Sequence, residues 1–336
     1  MREAMLYETM GTKKVRCNLC AHRCTIGPSK RGICGVRENR DGTLYTLAYG
    51  TIIAQNVDPI EKKPLFHVYP GSKSFSIATV GCNFRCTFCQ NNEISQMPRE
   101  SGRIMGSPAL PEDVVSRALT SGSKTIAYTY TEPTIFFEYA LDIGKSAHAK
   151  GIRNVFVTNG YMSAEALNVI SPFLDAANVD LKSFSDDFYK KYCGARLQPV
   201  LDSLKRMKEQ GIWLEITTLI IPSLNDSDEE LKDIARFIAS LGSDTPWHIS
   251  RFHPHYEMTH LPSTPVKTLH KAARFGAEAG LKYVYTGNVP GDRQESTFCS
   301  NCGNKLIDRY GFHINELNLD GSKCPRCGTP LHGILG

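Results

Sequence analysis

A short loop with three cysteines constrains this chain more than any other feature of its sequence. Cys82, Cys86 and Cys89 follow a Cys-x3-Cys-x2-Cys spacing, directly after an apolar run from 75 to 80 that predicts a buried strand. A loop this tight can place three thiolates on one iron–sulfur cube, in which each thiolate binds a different iron. Three ligands leave the fourth iron open, and open coordination positions are where metal chemistry occurs. The spacing therefore indicates a three-thiolate metal loop that suits an iron–sulfur cube, and an incomplete zinc site or three unligated core cysteines are the alternatives.

Composition and the start of the chain limit the class of protein. Of the 336 residues, 41% are hydrophobic and 22% are charged, values typical of a globular protein with a large core. No apolar run approaches the roughly 18 residues of a membrane span, and the first residues lack the pattern of a signal peptide. We therefore expect a cytoplasmic protein without a membrane partner, and the 12 cysteines favour metal sites over disulfides. The net charge of +5 is mild, and no basic stripe with interleaved aromatics indicates a nucleic-acid partner.

Residues 1–50 carry a second set of cysteines, surrounded by glycine and proline residues that favour turns. The set comprises Cys17, Cys20, Cys24 and Cys34. Four thiolates can close a tetrahedral zinc site or saturate a second iron–sulfur cluster. Both metals remain open at this point, with a slight preference for zinc. Closed coordination favours a structural or electron-relay role over catalysis.

The last part of the chain carries two Cys-x2-Cys-Gly knuckles. They contain Cys299 with Cys302 and Cys324 with Cys327. Each tight turn offers two thiolates, and two such turns complete a tetrahedron. This spacing predicts a zinc ribbon.

Between the two outer cysteine sets, short apolar runs alternate with helical patterns. The predicted strands span 75–80, 125–130, 154–157, 177–181, 214–221, 249–252 and 281–285. The predicted helices span 111–121, 134–150, 163–173, 197–210, 226–240 and 265–280, the fifth of them capped by Asn225 and Asp226. About six β-α units without an antiparallel hairpin signal predict an α/β fold with a parallel sheet curled into a partial or full barrel. Sites on such barrels lie at the carboxyl ends of the strands, where the three-cysteine loop falls.

The loop sequence resembles the signature of the radical S-adenosylmethionine (SAM) enzymes, because Cys82, Cys86 and Cys89 have this spacing and an aromatic residue, Phe88, precedes the last cysteine. The resemblance implies that the open iron binds the amino and carboxylate groups of SAM. It also implies that an electron from the cluster cleaves SAM and releases a 5′-deoxyadenosyl radical. A low-potential electron donor, ferredoxin-like or flavodoxin-like, is then expected.

The resemblance extends to the ends of the following strands. Members of the superfamily typically carry Gly-Gly-Glu after the second strand and bind the SAM ammonium there; here Glu132 is retained, but Tyr130 and Thr131 replace the glycines. A helix N-terminal role is the alternative for Glu132. The segments Thr158-Asn159-Gly160 and Asp180-Leu181-Lys182 resemble the enzymes that activate glycyl-radical enzymes such as pyruvate formate-lyase. Asp180 and Lys182 point the same way along their strand and are expected to hold the ribose hydroxyls and the methionine carboxylate, or else to form a structural ion pair.

Three further residues are candidates for contact with substrate or SAM. Cys193 is the one cysteine outside the three sets, and an inert core thiol is the alternative. Arg251 and His253 lie in a polar, aromatic segment at the end of the sixth strand. They are two residues apart, so their side chains point the same way along an extended chain, and one of them is expected to face the cavity. We assign Arg251 to the cofactor and His253, like Cys193, to catalysis.

The likeness spans nearly the whole chain and is strongest for one group. Its motifs include the N-terminal cysteines, Ile221-Pro222 with Asn225-Asp226, the segment 248–254 and the terminal ribbon. These resemble the radical SAM component encoded alongside AMMECR1-like and Memo-like proteins, which makes such proteins candidate partners. The expected organisation is a Cys-rich module at 1–50, a partial (β/α)6 TIM-like radical SAM barrel at 51–291 and a zinc ribbon at 292–336.

Two classes of function follow from the sequence. The first is an oxidoreductase that abstracts hydrogen from a substrate, either a protein glycine, as in the activating enzymes, or another macromolecule or metabolite. The second is a non-catalytic zinc-ribbon binding protein with a degenerate barrel. The intact three-cysteine loop and the polar groups at successive strand ends favour the enzyme.

Overall fold

The computed structural model of the chain describes residues 2–335 and is built on one large central sheet. The strands are β1 (Arg2–Glu3), β2 (Tyr7–Thr9), β3 (Val15–Cys17), β4 (Thr25–Ile26), β5 (Arg37–Arg40), β6 (Thr43–Thr46), β7 (Thr51–Ile52), β8 (Ala54–Pro59), β9 (Lys73–Ala78), β10 (Ser107–Pro108), β11 (Thr125–Tyr128), β12 (Arg153–Thr158), β13 (Ala176–Asp180), β14 (Trp213–Ile220), β15 (Trp247–Arg251), β16 (Val284–Gly287), β17 (Thr297–Phe298), β18 (Lys305–Tyr310) and β19 (His313–Leu317). The α-helices are α1 (Asn92–Ser95), α2 (Met97–Glu100), α3 (Pro111–Thr120), α4 (Phe137–Ala149), α5 (Ala164–Ile170), α6 (Asp186–Phe188), α7 (Leu197–Glu209), α8 (Asp228–Leu241) and α9 (Val266–Glu278).

The central sheet has the order β16-β15-β14-β13-β12-β11-β9-β8. Seven of its strands, β9 and β11 to β16, are parallel and lie in chain order. Helices α3 to α9 lie in the connections between them. All seven strands and six helices of the predicted barrel are present, with ends within three residues of the predicted ones. The predicted α/β fold with a mostly parallel sheet is confirmed.

Two details of the prediction are wrong. The parallel sheet carries an antiparallel edge strand, β8, whose residues show no apolar alternation that would have revealed it. Helix α8 is capped by Ser227, whose side chain accepts a hydrogen bond from the backbone N–H of Glu230 at 3.2 Å, and not by Asn225 or Asp226. The Asn225 amide instead donates to the carbonyls of Lys182 (2.7 Å) and Leu219 (2.9 Å), so it holds the loop after β14 against the end of β13.

The two faces of the central sheet differ in chemistry. Alternate residues such as Ile77, Val179 and Ile249 belong to the large apolar core that includes the helices. The residues next to them in the chain point to the opposite face of the sheet, and these include the buried polar side chains of Asn178 and His248. A strand with apolar residues on one face and polar residues on the other leaves its polar face free for a site or for polar contacts.

The N-terminal and C-terminal segments lie at opposite ends of the parallel strands. The small antiparallel sheets formed by β1 to β6 lie near the carboxyl ends, because the backbone N–H of Ala21 donates to the carbonyl of Tyr161 (3.0 Å), just after β12. The C-terminal sheet β17-β18-β19 lies at the amino ends, where its Ile307 shares an apolar cluster with Phe66 and Tyr285. No helix among residues 2–335 is both long and apolar enough to cross a membrane.

His67 connects the C-terminal segment to the amino ends of the strands. Its Nδ1 lies 2.6 Å from the carbonyl oxygen of His332, and its Nε2 lies 2.7 Å from the hydroxyl of Tyr285. A neutral imidazole can satisfy both contacts by donating to the carbonyl and accepting from the hydroxyl. Burial lowers the pKa of His67 to about 4, although Glu215 opposes the shift. His67 is therefore neutral at neutral pH.

This depressed pKa predicts that acid weakens the fold before carboxylates are protonated. Between about pH 6.5 and pH 4 the unfolded state binds a proton at His67 that the folded state does not, so stability falls as the pH falls. We expect a loss of about 2 kcal/mol in the free energy of unfolding between pH 7 and pH 5 at saturating zinc. Urea unfolding should show that His67→Gln removes most of this slope, whereas the exposed control His313→Gln keeps it. Equal slopes in all three proteins would contradict the assignment.

Candidate functional site

The three-cysteine loop begins where β9 ends and is held by close backbone contacts on both sides. Gly81 has a φ of 102°, a conformation that favours glycine. A Cβ atom at this position would lie 2.8 Å from Cγ1 of Val36 and 3.1 Å from the carbonyl oxygen of Cys34. On the other side, the N–H groups of Arg85 and Thr87 donate to carbonyls of the π-helical turn Tyr189–Cys193. The loop is therefore clamped between the N-terminal module and the segment that follows α6.

Two phenylalanines anchor the same loop in the core. Phe84 is buried, with its ring centroid 5.1 Å from that of Tyr161 and 6.3 Å from that of Tyr189. Phe88, the aromatic residue of the sequence signature, packs on Phe188 at 5.9 Å. Burial of large aromatic side chains fixes the loop that carries the cysteines.

Polar groups approach the sulfur atoms of the loop. The backbone N–H of Phe84 donates to Sγ of Cys82 at 3.3 Å, and the side-chain amide of Asn159 lies 3.8 Å from the same sulfur. The hydroxyl of Ser95 lies 3.3 Å from Sγ of Cys89. Such donors stabilise negative charge on thiolates and tune the potential of a cluster that they bind.

The spacing of the sulfur atoms distinguishes a cluster from a single ion. A zinc ion bound at about 2.3 Å holds tetrahedral thiolates about 3.8 Å apart. Among residues 2–335, the C-terminal cysteines are the one group in which three or more candidate ligand atoms all lie within 4.8 Å of one another. The sulfurs of Cys82, Cys86 and Cys89 do not all lie within this distance of one another, and ligands that bind different irons of a cube need not do so. The loop thus fits a [4Fe-4S] cluster better than zinc.

The predicted residues Glu132, Thr158 and Asn159 form one buried network beside the loop. The Glu132 carboxylate accepts hydrogen bonds from the backbone N–H of Asn159 (2.8 Å), the hydroxyl of Thr158 (2.8 Å) and the backbone N–H of Thr134 (3.0 Å). The Asn159 amide donates in turn to the side-chain oxygen of Asn83 at 2.7 Å. Burial raises the pKa of Glu132, and these donors oppose the shift. The structure thereby gives Glu132 a positioning role, and its contact with the SAM ammonium stays a prediction.

Asp180 and Lys182 form an ion pair at the end of β13, with 2.8 Å between Lys182 Nζ and Asp180 Oδ2. Burial alone would lower the pKa of Lys182, but Asp180 and the thiols of Cys86 and Cys193 raise it well above its usual range. A hydrogen bond from Cys193 also lowers the pKa of Cys86. The structure thus brings the ion pair and Cys193 to the three-cysteine loop.

The remaining predicted residues lie farther along the same edge. Arg251 Nε donates to the carbonyl of Thr264 at 2.8 Å, and Nδ1 of the exposed His253 lies 3.2 Å from the Ser263 hydroxyl. These contacts hold the loop after β15, and the proposed roles of Arg251 in cofactor binding and of His253 in catalysis stay predictions.

Sequence reasoning missed a buried charged group beside the second strand end. Tyr130 donates its hydroxyl to Asp58, and Lys63 Nζ lies 2.7 Å from the same carboxylate and 4.5 Å from the Tyr130 ring centroid. Tyr130 has a φ of 63°, so it adopts the left-handed conformation that a glycine would favour. The replacement of the family's glycine was visible in the sequence, but its partners on β8 and the following turn were not.

The C-terminal cysteines form a compact group. Sγ of Cys299 lies 3.5 Å from that of Cys327, and Sγ of Cys302 lies 3.7 Å from that of Cys324. These separations match those expected around one tetrahedral ion. The group can therefore bind a metal ion.

The chain, in whole or in part, is similar to known proteins. The sequence model of the radical SAM superfamily matches residues 76–238. An uncharacterized protein of Methanocaldococcus jannaschii is 46% identical over 338 residues, with both chains covered completely. The pyruvate formate-lyase-activating enzyme of Clostridium pasteurianum is 26% identical over 168 residues, which cover 48% of this chain and 67% of that enzyme.

Among solved structures, SuiB of Streptococcus suis bound to S-adenosylmethionine matches with a TM-score of 0.52. It is 12% identical, and the match covers 72% of this chain and 56% of SuiB, so the likeness concerns the fold alone. The matched sequence region contains the three-cysteine loop and the strand ends around it. The chain therefore belongs to the radical SAM superfamily of iron–sulfur enzymes that use S-adenosylmethionine.

Proposed function

We propose that Cys82, Cys86 and Cys89 hold a [4Fe-4S] cluster whose open iron binds SAM, and that the enzyme abstracts hydrogen from a substrate. The observation that carries this proposal is the clamped loop, with sulfurs that face N–H and O–H donors at the carboxyl end of β9. When bound, the cluster supplies the electron that cleaves SAM to methionine and a 5′-deoxyadenosyl radical. Similarity to the pyruvate formate-lyase-activating enzyme makes a protein glycine the first substrate class to test.

Residues around this loop have separate proposed roles in binding and positioning. Lys182 carries a positive charge suited to the methionine carboxylate, and Asp180, about a third exposed, offers an acceptor for ribose hydroxyls. Glu132 orients Asn159, which holds Asn83 and approaches Cys82. Cys193 lies against Cys86 and is a candidate contact for substrate or SAM. Arg251 and His253 complete the proposed set at the end of β15.

Further proposals concern organisation and partners. We assign a Cys-rich module to 1–50, a partial barrel to 51–291 and a zinc ribbon to 292–336, with zinc at Cys299, Cys302, Cys324 and Cys327. A ferredoxin-like or flavodoxin-like protein would supply electrons. The full-length resemblance to the group encoded with AMMECR1-like and Memo-like proteins makes those proteins candidates for pull-down and activity assays.

The first prediction concerns SAM cleavage. After anaerobic reconstitution with iron and sulfide and reduction with dithionite, the protein should form 5′-deoxyadenosine from SAM, measured by chromatography. Cys86→Ala should abolish this product because it removes one iron ligand. The neighbouring exposed control Gln90→Ala should retain it. Product formation by Cys86→Ala at the wild-type rate would contradict the ligand assignment.

A second prediction separates two roles of Glu132. In Glu132→Gln, an amide group replaces one carboxylate oxygen and cannot accept the buried N–H or O–H donors that face it, at a cost of about 1–3 kcal/mol in stability. We expect lower thermal stability and a smaller iron content after reconstitution. The control Glu165→Gln, at an exposed carboxylate, should change stability by less than about 1 kcal/mol. Full stability and iron content with only weaker SAM binding would show that Glu132 serves SAM alone.

A third prediction concerns the C-terminal metal. In the double variant Cys302→Ser/Cys327→Ser, one bound zinc should be lost and the melting temperature should fall, because the ribbon packs against Tyr283 and Tyr285 at the amino end of β16. The yield of 5′-deoxyadenosine per iron–sulfur cluster should stay unchanged below that temperature, since the proposed active site lies at the other strand ends. Loss of SAM cleavage with the cluster still present would refute the independence of the C-terminal metal site and the proposed active site.

A further inference from the structure

The four N-terminal cysteines surround a cavity that is shared with the central domain. The space lies next to the apolar side chains of Leu19, Ile26 and Ile135. Its cysteines are Cys17, Cys20, Cys24 and Cys34. Asn83, which is part of the three-cysteine loop, and Thr134 also line it. The site is therefore built jointly by two parts of the chain, whereas the C-terminal ribbon draws its four ligands from its own two turns.

The N-terminal sulfurs are less compact than the C-terminal ones, which match a single ion. Within residues 2–335, no three of its four sulfurs lie within 4.8 Å of one another. In the C-terminal set all four do. One molecule thus contains a compact cysteine set that matches a single ion and two less compact sets. Like Cys82, Cys86 and Cys89, the N-terminal set is not gathered around one point, and this arrangement suits ligands that bind separate irons.

Two buried donors suit a negatively charged iron–sulfur cluster in this cavity. The guanidinium of Arg37, 1% exposed and paired with Glu138, donates from Nη1 to Sγ of Cys17 at 3.2 Å. The side-chain Nδ2 of Asn83, also 1% exposed, has no hydrogen-bond partner among the described residues. A buried donor without a partner costs about 1–3 kcal/mol, and sulfide or thiolate would satisfy it.

The cavity lies beside the three-cysteine loop. Asn83 lines the cavity and directly follows Cys82 in the chain. His22, another lining residue, has its Nε2 2.8 Å from the carbonyl oxygen of Asn83. The carbonyl oxygen of Cys34 is so close to Gly81 that a Cβ there would lie 3.1 Å away. The two cysteine sets therefore lie side by side, with Asn83 in contact with both.

We propose that Cys17, Cys20, Cys24 and Cys34 bind a second [4Fe-4S] cluster rather than zinc, and that this cluster relays single electrons to the three-cysteine loop. A ferredoxin-type donor reduces the second cluster by one electron. The second cluster is oxidised back when it passes that electron on, and the cluster at Cys82, Cys86 and Cys89 is reduced by one electron. No bond or proton is transferred. Four protein ligands leave no open iron, which suits a relay. The relay rests on the proposed function, whereas the metal assignment does not.

Metal analysis of the whole chain tests the assignment without any variant. Anaerobically reconstituted wild-type protein should contain about eight irons and about eight sulfides per chain, with about one zinc in the ribbon. The triple variant Cys82→Ala/Cys86→Ala/Cys89→Ala should keep about four irons. Its dithionite-reduced state should give an electron paramagnetic resonance signal that SAM does not change. About four irons and about two zincs in the wild type would overturn the proposal.

The relay has its own test in the double variant Cys24→Ser/Cys34→Ser. The ratio of its 5′-deoxyadenosine formation rate with a reduced ferredoxin-type donor to its rate with dithionite should fall at least about tenfold relative to the wild-type ratio, because dithionite reduces the remaining cluster directly. An unchanged ratio would refute the relay and leave the second cluster in place. Absence of 5′-deoxyadenosine in the wild type with either reductant would refute the proposed function instead, and the iron count would still decide the metal.

Discussion

The need to fix three cysteines in a short, largely buried loop governs the architecture around residues 82–89. A loop this short has no core of its own, so other elements must fix it. Gly81 contacts the N-terminal module, Phe84 packs between aromatic rings from two other segments, and the amide of Asn159 reaches the first cysteine. Each contact comes from a different part of the chain, so the loop geometry depends on the assembled domain.

The two ends of the parallel strands carry different tasks. At the carboxyl ends lie the three-cysteine loop, the Glu132 network and the N-terminal cysteines. At the amino ends, the ribbon and the segment around His67 cover the polar face with buried hydrogen bonds, including those of Glu215 with the backbone N–H groups of Phe66 and His67 at 2.9 and 2.8 Å.

The sequence predicted the elements well because the information for them is local. Apolar periodicity and helix-capping residues lie within each element, and cysteine spacing fixes which thiolates can share a metal. The partners of Tyr130 and Glu132 could not be predicted, because Asp58 and Asn159 lie 72 and 27 residues away and meet them only in the folded sheet. The proposal of iron–sulfur rather than zinc at residues 17–34 likewise rests on the arrangement of the sulfurs in space, which spacing along the chain does not supply.

Tyr130 shows how a departure from the family pattern can preserve its geometry. A non-glycine residue with a φ near 60° costs roughly 1–3 kcal/mol, so the surrounding contacts must offset that strain. Although burial alone would raise the pKa of Asp58, hydrogen bonds from Lys63 and Tyr130 lower it, so the carboxylate stays charged and holds the Tyr130 hydroxyl. The backbone before Glu132 thus keeps a glycine-like conformation. The side chain adds a hydroxyl and an aromatic face at this position, features that a glycine could not provide.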